Sequence, residues 1–333
     1  MKAFDGYYVI HPVVPWYIKI LFEQYYSSDN DNSYGAVTYA FVKVKSSFGI
    51  YCAKEYEGGN RDIILELITE ASNLLYAMQL AKANRWWSEV INIMQSLILF
   101  YEHTGRYRER INLVEKTAID FVEPSTGKPL QDREEQWSII TNAQIRIAID
   151  KRDWNIAEEL ERRCVDWNRS RVTSALALPF SESLDRKQEQ TIYSLAVSLI
   201  NLGVILAEQG KPECVEVYEE AIQLCQLLSE RSPEASLCFN LGKAYTDVSA
   251  IRNLEQAEGW YHRSLELCNQ RRDALGISKC LGQLGLLTYD KFKEASNCQE
   301  TNEQLSLYLN DAASFCHEQI NWINKSGAKP TNN

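Results

Sequence analysis

Apolar positions recur along this chain every three or four residues, almost from end to end. Clear alternation of period two is nearly absent and Gly and Pro are sparse, so the pattern predicts an all-α protein. It is sharpest from Leu199 to Leu286, where one phrase occurs three times: Asn201-Leu202-Gly203, Asn240-Leu241-Gly242 and Gln283-Leu284-Gly285. An apolar or small residue stands three positions before each Leu (Leu199, Cys238, Leu281). Another residue stands three after each Gly (Leu206, Tyr245, Thr288), so every set follows one helical face. The glycines lie 39 and 43 residues apart, the spacing of stacked helical hairpins. A second phrase supplies each partner helix: Cys214, Tyr218 and Ala221 after the first triplet, Ala257, Tyr261 and Ser264 after the second. Small residues on either side of an aromatic, all on one face, let two helices approach closely with the ring filling the gap.

Outside this stretch the pattern is looser. Phe4 to His11 is rich in aromatic and β-branched residues around an Asp5-Gly6 turn, which predicts a short strand with no sheet to join. Trp16 to Tyr26 reads as an amphipathic helix entered through Pro15. Helices are expected over 34–56, ended by Gly58-Gly59, then from Asp62 to Ala83, from Trp86 to Tyr101 and from Tyr107 to about Phe121. In the last of these Arg110 stands where the pattern wants a small residue, so the hairpin is degenerate. Val122 to Asp132 is a Pro/Gly/Ser loop, and Arg133 to Asp150 is a helix whose partner begins at Asp153-Trp154 with Ala157 in the small-residue position. The stretch 170–185 is long for such an array and is either a surface loop or a segment lying in its groove. Phe292 to Cys298 and Gln304 to Trp322 read as helical, the second as a cap or the point where an array is cut short. The expected organisation is an arm over 1–33, degenerate helical repeats over 34–169, a linker over 170–185, repeats and a capping helix over 186–324, and a disordered tail over 325–333.

The triplets and their partner phrases resemble the tetratricopeptide repeat, whose consensus runs through an aromatic or Leu, Leu-Gly, Tyr, then Ala, an aromatic and Ala. The resemblance implies a superhelix of α-hairpins, with a short strand and helix left at its N-terminus. A narrower likeness lies in Gly6-Tyr7-Tyr8-Val9-Ile10-His11-Pro12 followed by Pro15-Trp16-Tyr17-Ile18, which is similar to the junction leaving the winged-helix part of STAND-type signalling NTPases. Glu70-Ala71-Ser72-Asn73-Leu74-Leu75, Arg85-Trp86-Trp87, Tyr101 to Arg106, Arg133 to Trp137 and Cys280 to Gly285 resemble phrases of their C-terminal repeat array, in the same order. The likeness implies a sensor and autoinhibitory arm, with an NTPase module upstream of Met1 or in trans. The chain itself has no Gly-rich loop ending in Gly-Lys-Ser/Thr; Gly127-Lys128 runs into Pro129 and reads as a turn.

Composition narrows the chemistry. With 45% hydrophobic and 24% charged residues the chain resembles an ordinary soluble domain, and a net charge of −10 argues against nucleic acid as a partner. The basic run Arg106 to Arg110 reads as a solvated helix face or end. Nine cysteines without a Cys-x-x-Cys pair, most at core-like positions (Cys164, Cys214, Cys225, Cys238, Cys268, Cys280), point to buried reduced thiols in a cytoplasmic protein. No apolar run approaches a membrane span, so no membrane is expected. The four histidines (His11, His103, His262, His317) have no ligand spacing, and no nucleophile elbow or dinucleotide turn occurs. The acid pairs Glu158-Glu159 and Glu219-Glu220 read as exposed helix faces. A non-enzyme without cofactor or metal is expected.

In stacked hairpins the Leu, Gly and small positions are consumed by packing, and the first helix of each pair lines the groove. The residues left to face it are Val197, Ile200, Asn201 and Val204; then Ser236, Phe239, Asn240 and Lys243; then Lys279, Gly282, Gln283 and Leu286. Asn201, Asn240 and Gln283 hold equivalent positions. In tetratricopeptide repeats an amide there often bonds the backbone of an extended peptide, although such amides can equally satisfy neighbouring helices. Lys243 and Lys279 could receive an acidic group, and Phe239 an apolar side chain. A protein or peptide ligand is the expected partner, whether the chain is a sensor arm or a stand-alone adaptor.

Overall fold

The computed structural model describes residues 2–4, 7–8, 17–18, 20–21, 24, 31–176, 184–228, 231–298 and 301–326. Strands β1 (Lys2–Phe4) and β2 (Tyr7–Tyr8) pair antiparallel, so the expected lone strand has a partner after all. The run read as one strand is two, one on each side of Asp5-Gly6, which lie outside the described residues.

Twelve α-helices follow among the described residues: α1 (Asp31–Glu57), α2 (Ile63–Ala83), α3 (Trp87–His103), α4 (Tyr107–Ala118), α5 (Glu134–Asp150), α6 (Trp154–Leu176), α7 (Arg186–Glu208), α8 (Cys214–Leu227), α9 (Arg231–Asp247), α10 (Leu254–Arg271), α11 (Ala274–Asn297) and α12 (Asn302–Ser326). They pack in sequential pairs as an all-α, tetratricopeptide-like fold. The link expected from residue 170 is helical as far as Leu176; 177–183 lie outside the described residues, as do 327–333 of the expected tail.

One turn serves both within and between hairpins. Gly59, Arg85, Gly105, Arg152, Gly210 and Arg272 all have φ between +55° and +99°. In each case the next amide reaches back five residues: Asn60 to the Glu55 carbonyl, Trp86 to Ala81, Arg106 to Tyr101, Asp153 to Ala148, Lys211 to Leu206 and Asp273 to Cys268. These are Schellman caps, which satisfy the orphan carbonyls of the helix end and reverse the chain in a few residues. Next to them α7 opens on a capping box. Asp185 accepts from the Lys187 and Gln188 amides at 2.8 Å, and Gln188 Oε1 accepts from the Asp185 amide at 2.9 Å.

The chain divides into two compact units, residues 1–143 and 144–333. In the first, α1 packs on both α2 and α3. A methyl at Gly49 of α1 would come within 2.3 Å of Ser96 Oγ on α3, so glycine here permits a close crossing. Arg110 departs from the expectation of a solvated basic face: it is 4% exposed and pairs with Glu102 at 2.7 Å. After α4 the loop to α5 is tied down. Val122 bridges Pro129, buried Trp137 Nε1 donates to the Gly127 carbonyl at 3.0 Å, and Arg133 lies over Trp87.

In the second unit Leu195, Leu199, Leu202 and Leu206 of α7 meet Tyr218 and Cys225 of α8, Leu237 and Leu241 of α9 and Leu281 of α11 in one core. Helix α7 is the one helix among the described residues long and apolar enough by composition to cross a membrane. Its apolar positions are used by this core. The loosened register beyond the third triplet resolves into an unbroken α11 and an α12 that packs on it. The Gly285 backbone faces Ala312 and Cys316, which together with Gln319 repeat the partner-helix spacing.

Candidate functional site

The repeat phrases do the packing that their residue types demand. An added methyl at Gly203 would sit 2.4 Å from the ring of Tyr218, and one at Gly242 2.7 Å from the ring of Tyr261. Both tyrosines are at most 1% exposed, so each ring lies directly on a bare helix backbone. Ser264 donates to the Ala235 carbonyl at 2.8 Å, tying α10 to α9.

What remains is the exposed face of α7, α9 and α11, adjacent helices in which α9 packs on both others. Asn201, Ser236, Lys243 and Lys279 are exposed there, as are Val197 and Val204 at close to 40% and Leu286 at 60%. Ile200, Phe239, Asn240, Gly282 and Gln283 are only partly exposed. Phe239 makes an edge contact with Tyr261, its ring centroid 5.5 Å away, and belongs to the core around Leu254 and Leu287. A methyl at Gly282 would meet Gln319 of α12 at 2.7 Å, so this position faces the partner helix. Lys243 pairs with Glu208 at 3.2 Å, a bridge from α9 to α7 that partly neutralises the cation.

Asn201 has a second commitment. Together with Ser198 it faces the carboxyl of Glu161 on α6, and Asn168 of α6 donates to Ser198 Oγ at 3.0 Å. Of the three equivalent amides, the first is thus partly engaged by a neighbouring helix.

Sequence reasoning missed several residues. Tyr193 on α7 and Leu275 and Tyr289 on α11 extend the exposed apolar rows by one turn, with Lys293 over the Tyr289 ring at 4.5 Å. Their signal is helical spacing, four residues before Val197 and Lys279 and three after Leu286. Glu161 was missed too, and its signal is the partner-helix phrase itself. Ala157, Glu161 and Cys164 repeat the spacing of Cys214, Tyr218 and Ala221, with an acid in the aromatic slot. Glu158, expected on an exposed face, is largely buried and receives Lys211 at 2.6 Å, Arg162 at 2.9 Å and Gln209 at 2.9 Å. Burial alone would raise its pKa, but these three donors outweigh it and hold the carboxyl at about 2.

No cluster of three or more His, Cys, Asp or Glu able to hold a metal occurs among the described residues. Seven cysteines are buried and two, Cys298 and Cys316, are exposed. Burial pushes the thiols of Cys52 and Cys238 up to about 12, and those of Cys214 and Cys280 to about 11, which keeps them protonated and poorly nucleophilic.

No family model and no curated protein matches this chain. Among solved structures it is similar to BtubC (BKLC) from P. vanneervenii, known from a crystal structure, with a TM-score of 0.56 at 14% identity. The match covers 80% of this chain and 93% of that one. At that identity the likeness is one of fold.

Proposed function

We propose that this chain is a protein-binding repeat protein whose ligand, a protein or an extended peptide, lies along the exposed face of α7, α9 and α11. The observation that supports it is the row of exposed apolar side chains at matching helical positions, Val197 and Val204 on α7 and Leu286 on α11. Hairpins consume their Leu, Gly and Tyr positions internally, so apolar residues kept on the remaining face offer contact area to a partner. Asn240, Gln283 and Lys279 supply polar contacts between the apolar anchors. In this reading the chain carries no catalysis of its own and works in the cytoplasm. Val204→Glu combined with Leu286→Glu should abolish capture of the partner that the unaltered chain retains. Leu227→Glu, on the exposed side of α8, should leave it intact. Loss only with Leu227→Glu would move the site to the opposite face.

The more specific form of the reading makes the chain a sensor and autoinhibitory arm of a STAND-type signalling protein. Its support is the ordered series of phrases from Gly6 to Gly285. Partner capture would then release an NTPase module, encoded upstream of Met1 or in trans, to oligomerise. Mapping the 5′ end of the native transcript tests this. An in-frame segment with a Gly-Lys-Ser/Thr phosphate loop is the expected result. A transcript and a neighbouring gene without one leave the second reading, a stand-alone adaptor.

A further inference from the structure

Four helices of the second unit carry the partner-helix phrase, and their central slot holds Tyr218, Tyr261, Cys316 and Glu161. The tyrosines put a ring there. On α6 the slot holds a carboxyl in a residue that is 0% exposed, so it is shut off from water. The groups that face it are Ser198 and Asn201 of α7 and Cys164 of its own helix, none of them a cation. Asn201 and Ser198 are near enough to favour its anion, yet neither carboxyl oxygen has a hydrogen bond of good geometry. The cations Lys211 and Arg162 pair instead with Glu158, three residues earlier.

An ionised carboxylate without a cation or full hydrogen bonding is among the costliest groups to bury. We propose that Glu161 sits between α6 and α7 as a neutral carboxylic acid, and that its ionisation loosens this seam: a proton-dependent joint in the slot that two sister hairpins fill with tyrosine. The protonated form also has an O–H to donate, whereas the anion can only accept. Burial supports the same direction, raising the acid to about 8 against the opposing pull of Asn201 and Ser198. The folded-state pKa lies above the unfolded one, so the folded chain holds the proton more tightly. Stability from this group is full below about pH 4.5 and is lost as pH rises through about 8. Because Asn201 belongs to the exposed face and also meets Glu161, the joint reaches the proposed ligand surface, although it does not depend on that reading.

The test is the urea midpoint of the whole chain, measured from about pH 6 to about pH 9, for the unaltered protein and for Glu161→Gln. The midpoint of the unaltered chain should fall across this range more steeply than that of Glu161→Gln, and exchange of the α6 and α7 amides should quicken with it. Parallel pH profiles would overturn the proposal. Should Glu161→Gln fail to fold, infrared difference spectra of the unaltered chain decide. A protonated-carboxyl C=O band present at neutral pH and lost in alkali supports the proposal, and its absence at neutral pH refutes it.

Discussion

The two compact units solve the same problem, bringing two helices into close contact, with different residues. In 144–333 the solution is a glycine under a buried ring, Gly203 beneath Tyr218 and Gly242 beneath Tyr261. In 1–143 the close crossing is Gly49 against Ser96, whose hydroxyl is already bonded to the Asn92 and Ile93 carbonyls, and the small-residue slot of α4 holds the buried Arg110 paired with Glu102. The repeat therefore constrains space and spacing more than residue type. A ring on bare backbone and an ion pair both fill the gap, but they fail differently when altered.

The largest effect should separate the two solutions. Tyr261→Ala empties a fully buried slot and should cost about 3–5 kcal/mol of unfolding free energy. Arg110→Met combined with Glu102→Met removes the ion pair as a whole, leaving neither charge unpaired, and should cost less than about 1 kcal/mol, or stabilise. Denaturant titration of both variants measures the contrast, and equal losses would remove the distinction. Next in size, Gly242→Ala should cost about 1–3 kcal/mol because the Tyr261 ring has nowhere to go. Gly259→Ala, on an open face of α10, should stabilise by about 1 kcal/mol through helix propensity alone. If Gly242→Ala also stabilised, the ring would not lie on the backbone.

A smaller effect concerns acid. Glu158 is held at about 2, below its unfolded value, so its contribution to stability is full above about pH 4.5 and vanishes as pH falls through about 2. The stability deficit of Lys211→Ala should follow that window, and a deficit constant from about pH 7 to about pH 2 would contradict it. The smallest effect is expected at a turn. Arg152 has a φ of 55°, which an L side chain adopts at a cost, so Arg152→Gly should raise stability by about 0.5–1 kcal/mol in thermal melts.

The fold was largely legible in the sequence because repeated packing leaves repeated spacing. The triplets from Asn201 to Gly285 and the rings of Tyr218 and Tyr261 could be assigned partners without coordinates. Helix lengths were less legible. Nothing local ends α6 at residue 170, and its continuation to Leu176 lacks the Gly or Pro that marks a stop. The strand at the N-terminus was seen but its partner was not, since Lys2–Phe4 is too short to show alternation. For the candidate face, helical phase identified the exposed positions, but phase alone could not tell which side chains turn toward a neighbour. Phe239 leans into the core, Gly282 meets Gln319 and Asn201 reaches Glu161. Arg110 and Glu161 were illegible for a shared reason: charge predicts exposure, and only a partner or a bound proton reverses it.

The most direct test of the proposed binding face is photo-cross-linking from single unnatural side chains at Val204, Leu286 and, on α8, Leu227, in native extract. The expected result is one shared cross-linked protein from Val204 and Leu286 and none from Leu227. Cross-links from Leu227 alone, or none from Val204 and Leu286, would contradict a ligand seated on α7, α9 and α11.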